Sequence, residues 1–305
     1  MNKRLLPVII VMLSLMACNG DTEQQNEYHE IRLYTEVVQS TRAANVATDL
    51  QDTQLAANAA ISVQLTDNNP DENQRVSYAL ATYIANGSGK LTISPDEPKQ
   101  YFPTSGSSVD IYAYYPAGTG ETFSVATDQS STAGYVDSDL MWGSLSGIDK
   151  NSTSEQCRLH LTHKLSKIVV RLVKGAEVTD DMVNAATISL GSVIYKGAFT
   201  ASTGTFVAAD GSVDANKSTI TIATNAGTTE HAAIIVPQDV TGKQLSITIG
   251  DNTRSYAFPE STAFAAGRKY TYTVTISKSG LSVTTSITDW ATPDGWTDPT
   301  PNIRF

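Results

Sequence analysis

The residues of this 305-residue chain best suited to chemistry are its two cysteines, Cys18 and Cys157. Cys18 closes a stretch in which two cations, Lys3 and Arg4, precede an apolar run from Leu5 to Met16 and a small Ala17. A charged start, a short apolar segment and a small residue before a cysteine are the parts of a bacterial lipoprotein signal. Cleavage there leaves the cysteine as the new N-terminus, where its thiol and amine are acylated. At ~0.8 kcal/mol per buried methylene, several acyl chains hold a protein on a membrane far longer than one does. A membrane-spanning helix needs about 20 apolar residues, and this run stops earlier, at Asn19-Gly20-Asp21. Cys18 is therefore the expected lipidation site and 1–17 the expected signal peptide. Cys157 is then left without a disulfide partner and reads as a small buried hydrophobe.

Other constellations invite chemistry and lose it on spacing. Cys157, His160 and His163 are spaced like a metal site, but along a strand the first and last face one way and His160 the other. Asp67, Asn69 and Asp71 open like a calcium loop, yet Glu72 and Tyr78 stand where glycine and glutamate are needed; a turn is expected. The acid pairs Asp137 with Asp139 and Asp180 with Asp181 lie in polar segments, whereas glycoside hydrolysis needs carboxylates roughly 5 to 9.5 Å apart across a cleft. Trp142, Trp290 and Trp296 could stack on sugars, but the first two are flanked by strand patterns and read as packing. No G-x-S-x-G, phosphate loop or H-E-x-x-H occurs. No catalytic residue, metal or cofactor is expected, and the chain reads as a protein that is not an enzyme.

Composition sets the frame for these residues. Charged side chains make up 17 % of the chain while Ser, Thr, Ala and Val abound, the balance of an extracellular β-protein. A formal net charge of -10 argues against nucleic acid and against anionic lipid as partners, since both require a basic face. Membrane contact is expected through the lipid on Cys18.

After a polar tether, 18–30, strand patterns begin. Residues 31–38 place Ile31, Leu33 and Val37 on one face and Arg32, Tyr34 and Glu36 on the other, as a half-buried strand does. Residues 39–44 read as a loop carrying Arg42, and the Ala- and Gln-rich stretch 49–60 as a short helix. Strands are expected at 60–65, 75–84, 90–93, 109–115 and 121–126, separated by turn clusters such as Asn86-Gly87-Ser88-Gly89. Short strands at near-regular spacing mean a sandwich or barrel. The polar stretch 144–155 is the expected boundary between domains at 31–155 and 156–290, and the run 158–172 is too long for one flat strand. In the second half strands are expected at 186–190, 194–200, 219–223, 232–237 and 245–249. The sharpest pair is a hairpin of 269–277 with a strand returning through Leu281, Val283 and Ile287. The tail, 291–305, holds three prolines and reads as extended.

The lipobox ending at Cys18, Thr41-Arg42-Ala43, Asp139-Leu140-Met141-Trp142-Gly143, the run from Leu161 to Leu172, Ala266-Gly267-Arg268-Lys269-Tyr270 and Ser286-Ile287-Thr288-Asp289-Trp290 follow one another along the chain. Together they resemble the fimbrillin family of gut and oral Bacteroidia, the type V pilins and their accessory proteins. The resemblance implies an all-β fold of two consecutive β-sandwich domains with transthyretin-like Greek-key topology, lipoprotein export to the cell outer membrane, and assembly by β-strand exchange. An arginine-specific protease would cut at Arg42, and the strand carrying Ile31, Leu33 and Val37 would leave. A neighbouring fimbrial subunit would then fill the groove with a C-terminal segment, for which the residues after Ser286 are the natural donor. Partners are then other fimbrial subunits, the protease and the outer membrane, with the role as shaft, tip or anchor open. A monomeric glycan-binding lipoprotein of the same surface is the alternative, because β-sandwiches also carry sugar sites.

Overall fold

The computed structural model describes residues 28–37, 55–224 and 230–290. Strands β1 (Tyr34–Val37), β2 (Ala60–Asp67), β3 (Ala81–Ala85), β4 (Leu91–Ile93) and β5 (Val109–Tyr115) open the chain. β6 (Thr122–Ser124) and the helical turn α1 (Thr132–Val136) precede β7 (Met141–Ile148) and β8 (Arg158–His163). Then come β9 (Ser166–Lys174), α2 (Asp180–Asn184), β10 (Thr187–Ile194), β11 (Lys196–Thr200), β12 (Thr205–Ala208) and β13 (Lys217–Thr221). The last are β14 (Ala223–Thr224), β15 (Glu230–Ile235), β16 (Gln238–Asp239), β17 (Gln244–Ile249), β18 (Asn252–Ala257), β19 (Ala263–Phe264), β20 (Arg268–Ser277) and β21 (Gly280–Asp289). The fold is all-β, as β-branched and aromatic residues in alternation dictate. The expected helix at 49–60 is not found in its described part: residues 57 and 58 form a turn and β2 starts at Ala60. The expected strand at 75–84 is confined to β3, and 75–80 holds no strand.

Seven strands form the first sheet, in the order β1-β8-β7-β5-β2-β3-β4. Its core holds Ile61, Val63, Ile111, Met141, Leu159 and Leu161, each at most 2 % exposed. The second core is shared by a five-stranded sheet, β14-β15-β9-β20-β21, and a four-stranded sheet, β13-β10-β17-β18. Ile168, Val170 and Val274 meet Ile188, Leu245 and Ile247 there.

The division drawn from sequence at 155/156 differs from these sheets in two respects. First, β8 pairs within the first sheet and Leu159 and Leu161 belong to the first core. The long run 158–172 is broken at Lys164 and Leu165, and only β9 enters the second core. Second, β6 pairs with β11 in a three-stranded sheet with β12, and Phe123, Val125, Tyr135 and Leu140 sit in the second core. Gln129, fully buried, clamps that excursion: its amide nitrogen donates to the Ile234 carbonyl at 2.8 Å and its oxygen accepts from the Ile234 N–H at 2.8 Å. Alternation says that such residues are buried but not in which core.

The terminal hairpin is present, turning at Lys278 and Ser279, with Tyr270 opposite Ile287, Val274 opposite Val283 and Ile276 opposite Leu281. β20 is central and buried, while β21 is the edge strand, so Ile287 is 47 % exposed rather than buried. Trp290 ends the strand: its N–H donates to the Gly267 carbonyl at 2.8 Å, and its ring stacks on His163 with centroids 3.9 Å apart.

His231, on β15, is 1 % exposed, and burial pushes its pKa down from 6.5 to about 4. Between those values the unfolded chain binds a proton that the folded chain refuses, so stability falls as pH falls through that window. The cost reaches about 2 kcal/mol near pH 5. Urea unfolding of the wild-type chain should therefore shift to lower denaturant between about pH 7 and pH 5 by more than it does in His231→Gln; equal shifts would contradict the burial effect.

Candidate functional site

The site is the seat of the N-terminal strand. Ile31, Leu33, Thr35 and Val37 alternate inward, each 3 % exposed or less, and Ile31, Leu33 and Val37 belong to the first core. Fully burying an aliphatic side chain is worth about 1.5 to 3 kcal/mol, so these residues seal the core as well as extend the sheet.

The backbone of this segment is bonded on both sides. On one side β1 runs parallel to β8, pairing Tyr34 with Arg158 and Val37 with Leu161, and the Tyr34 N–H donates to the Cys157 carbonyl at 3.1 Å. On the other, the Thr35 N–H donates to the Gly89 carbonyl at 2.6 Å and the Leu91 N–H to the Leu33 carbonyl at 3.0 Å. Just before, the Ile31 N–H donates to Gln100 and the Phe102 N–H to His29, both at 2.9 Å. The two ends of the seven-stranded sheet thus meet across β1, which closes it. Gly89 makes the approach possible: its φ is +84°, and a Cβ there would stand 2.7 Å from the Thr35 carbonyl oxygen. The turn is set by Asn86, whose side-chain oxygen accepts from the N–H groups of Ser88 and Lys90.

Of the residues singled out in the sequence, Ile31, Leu33 and Val37 lie together in this seat, while Cys18, Arg42 and Trp296 lie outside the described residues. Thr35 was passed over because it is polar. Its hydroxyl is buried with no hydrogen-bond partner among the described residues, an arrangement that costs about 1 to 3 kcal/mol.

Cys157, His160 and His163 do not converge. Cys157 is buried in the first core, and burial, with the Asp149 carboxylate adding to it, raises its thiol above the ordinary value. His160 points outward to Glu36, and His163 is buried against Asp139, Nδ1 to Oδ1 2.8 Å. The Asp67 carboxylate faces its own loop. Burial alone would raise its pKa, but bonds from the Ser107 hydroxyl and the N–H groups of Val76 and Asn69 outweigh that and hold it below the ordinary value. Asp137 is exposed while Asp139 is buried, and Asp180 pairs with Lys174 at 2.9 Å. Trp290 is buried, and Trp142 donates its Nε1–H to the Ala201 carbonyl and packs on the Gly204 backbone. Neither offers an open ring face of the kind a sugar stacks on.

The fold and this site define an all-β, two-core protein whose first sheet is closed by its own N-terminal strand. The fimbrillin-like family model matches residues 41–290, and the chain belongs to that family, one of structural adhesion proteins and not of enzymes. A candidate fimbrium subunit of Bacteroides uniformis, Fim1C, is similar at 25 % identity over 304 residues, covering 95 % of this chain and 96 % of that one. The crystal structure of a candidate cell adhesion protein from Bacteroides uniformis is 25 % identical with a TM-score of 0.64, covering 85 % of this chain and 99 % of that one. A second, from Bacteroides ovatus, shares the fold with a TM-score of 0.66 at 22 % identity, covering 86 % and 98 %. The chain is accordingly a fimbrillin-like structural, cell-adhesion subunit of fimbriae.

Two substitutions probe the seat in opposite directions. Leu33→Ala should destabilise the protein by about 3 kcal/mol through the cavity left in the core. Thr35→Val should stabilise it by about 1 kcal/mol by removing the unpaired hydroxyl. Chemical denaturation of both variants checks this; a destabilised Thr35→Val would mean that the hydroxyl is satisfied in solution.

Proposed function

We propose that this chain is exported as a lipoprotein through Cys18, reaches the cell outer membrane, and joins a fimbria by strand exchange after arginine-specific cleavage at Arg42. The observation that carries this reading is the position of β1. It is bonded on both sides, it seals a core, and it is joined to the rest of the chain only through the segment that holds Arg42. Cutting that segment leaves the strand held by non-covalent contacts alone. Its departure uncovers backbone N–H and C=O groups along β8 and β4 together with apolar core, and an extended strand from a neighbouring subunit restores both. Arg32 is the poorer cleavage site, since it lies within the bonded segment, where a protease cannot seat an extended backbone already paired in a sheet. The glycan-binding alternative gains nothing from Trp142 and Trp290, whose rings are engaged in packing.

Treating the purified chain with an arginine-specific protease should release an N-terminal fragment and produce a ladder of multimers, while Arg42→Ala should stay folded, uncut and monomeric. Assembly of Arg42→Ala with its strand intact would exclude this mechanism. Cys18→Ser should lose both fatty-acid label and membrane association, because no other attachment chemistry is evident in the sequence; equal labelling of wild type and variant would contradict lipidation at Cys18.

A further inference from the structure

The outward face of the N-terminal segment carries Glu30, Arg32, Tyr34 and Glu36. Both acids are met by basic side chains that belong to the walls of the seat. Lys99 Nζ lies 3.2 Å from Glu30 Oε1, His160 Nδ1 lies 2.7 Å from Glu36 Oε1, and Arg158 Nε lies 3.8 Å from Glu36 Oε2. The Arg158 guanidinium also sits 5.8 Å from the centre of the Tyr34 ring. In a chain of net charge -10, a lip holding Lys99 and Arg158 beside His160 runs against the overall balance. When the strand leaves, its two carboxylates leave with it. Arg158 keeps Glu155 at 3.1 Å, whereas Lys99 and His160 lose the acids they face.

Building on the exchange reading above, we propose that the vacated seat selects its incoming strand by charge. The occupant is a strand of a different subunit that alternates apolar residues inward and carries a carboxylate in the place of Glu36, facing His160 and Arg158. Apolar burial and main-chain bonds supply affinity to any strand of the right alternation. Discrimination comes from the lip, because opposite charges across a strand pair stabilise it and like charges destabilise it. Each pair is exposed and modest on its own, so the selection is graded. The chain's own β21 repeats the inward alternation with Leu281, Val283, Thr285 and Ile287 but holds Ser286 where the first strand holds Glu36. A second copy of this chain offering β21 is therefore the weaker occupant.

The test uses the full chain after arginine-specific cleavage, cleared of protease, and fluorescent peptides. Three peptides copy residues 28–37 with Glu36, Glu36→Gln or Glu36→Lys, and a fourth copies residues 280–289. The Glu36 peptide should bind tightest, the Gln peptide about threefold and the Lys peptide about tenfold more weakly. The spread should shrink near 1 M salt, and the order of the Glu and Lys peptides should reverse on a chain carrying Arg158→Glu and His160→Glu. Equal binding of the Glu and Lys peptides to the wild-type chain, or tightest binding by the 280–289 peptide, overturns selection by charge and leaves strand exchange standing. Binding by none of the peptides removes the open seat itself and overturns both readings.

Discussion

Everything distinctive about this molecule depends on the hydrogen bonding of one strand to both of its neighbours. A sheet edge exposes a row of unsatisfied N–H and C=O groups. Without β1 the remaining six strands end at β8 on one side and β4 on the other, and β1 bonds to both at once. Because the same strand turns Ile31, Leu33 and Val37 into the core, edge satisfaction and core closure are coupled. Neither can be lost without the other, so an empty seat is unfavourable in water and a filled one is restored by any strand of suitable alternation.

The coupling is strong without being optimal. Thr35 buries a hydroxyl without a partner, and the outward contacts of β1 are exposed ion pairs of modest worth. Under the exchange proposed above, a strand of this kind would hold the core closed in the free subunit yet leave room for a replacement that binds better. The second core is tied to the first half by β6 against β11 and by the Gln129 clamp on Ile234, and Trp290 is pinned between His163 and the Gly267 carbonyl. These contacts join the segment between β5 and β7 to the second core and leave the seat to the first.

Much of this was legible in the sequence because strand burial follows a period of two. The inward set of the first strand, the strands at 60–65 and 109–115 and the buried face of β20 with Tyr270, Tyr272, Val274 and Ile276 all follow from alternation. What alternation leaves undetermined is the destination of a buried face, which is why β8 and β6 were placed with the wrong core. It is also silent on edges. β18, Asn-Thr-Arg-Ser-Tyr-Ala, is exposed along most of its length and offers no apolar period. Thr35 was missed because a polar residue inside an apolar period reads as noise unless the neighbouring backbone is known to leave its hydroxyl without a partner. The lip of Lys99, Arg158 and His160 was hidden for a different reason, since these residues reach Glu30 and Glu36 only through long-range pairing that no local window contains.

The central claim is that the first strand opens as a unit separable from the sheet it closes. Native-state hydrogen exchange tests it most directly. The N–H groups of Thr35, Leu91 and Phe102 each donate to, or belong to, the N-terminal segment, so all three should exchange through one sub-global opening of lower free energy than that which exposes β2 and β5. Exchange of these three amides only with global unfolding, at the same free energy as the amides of β2 and β5, would contradict the account.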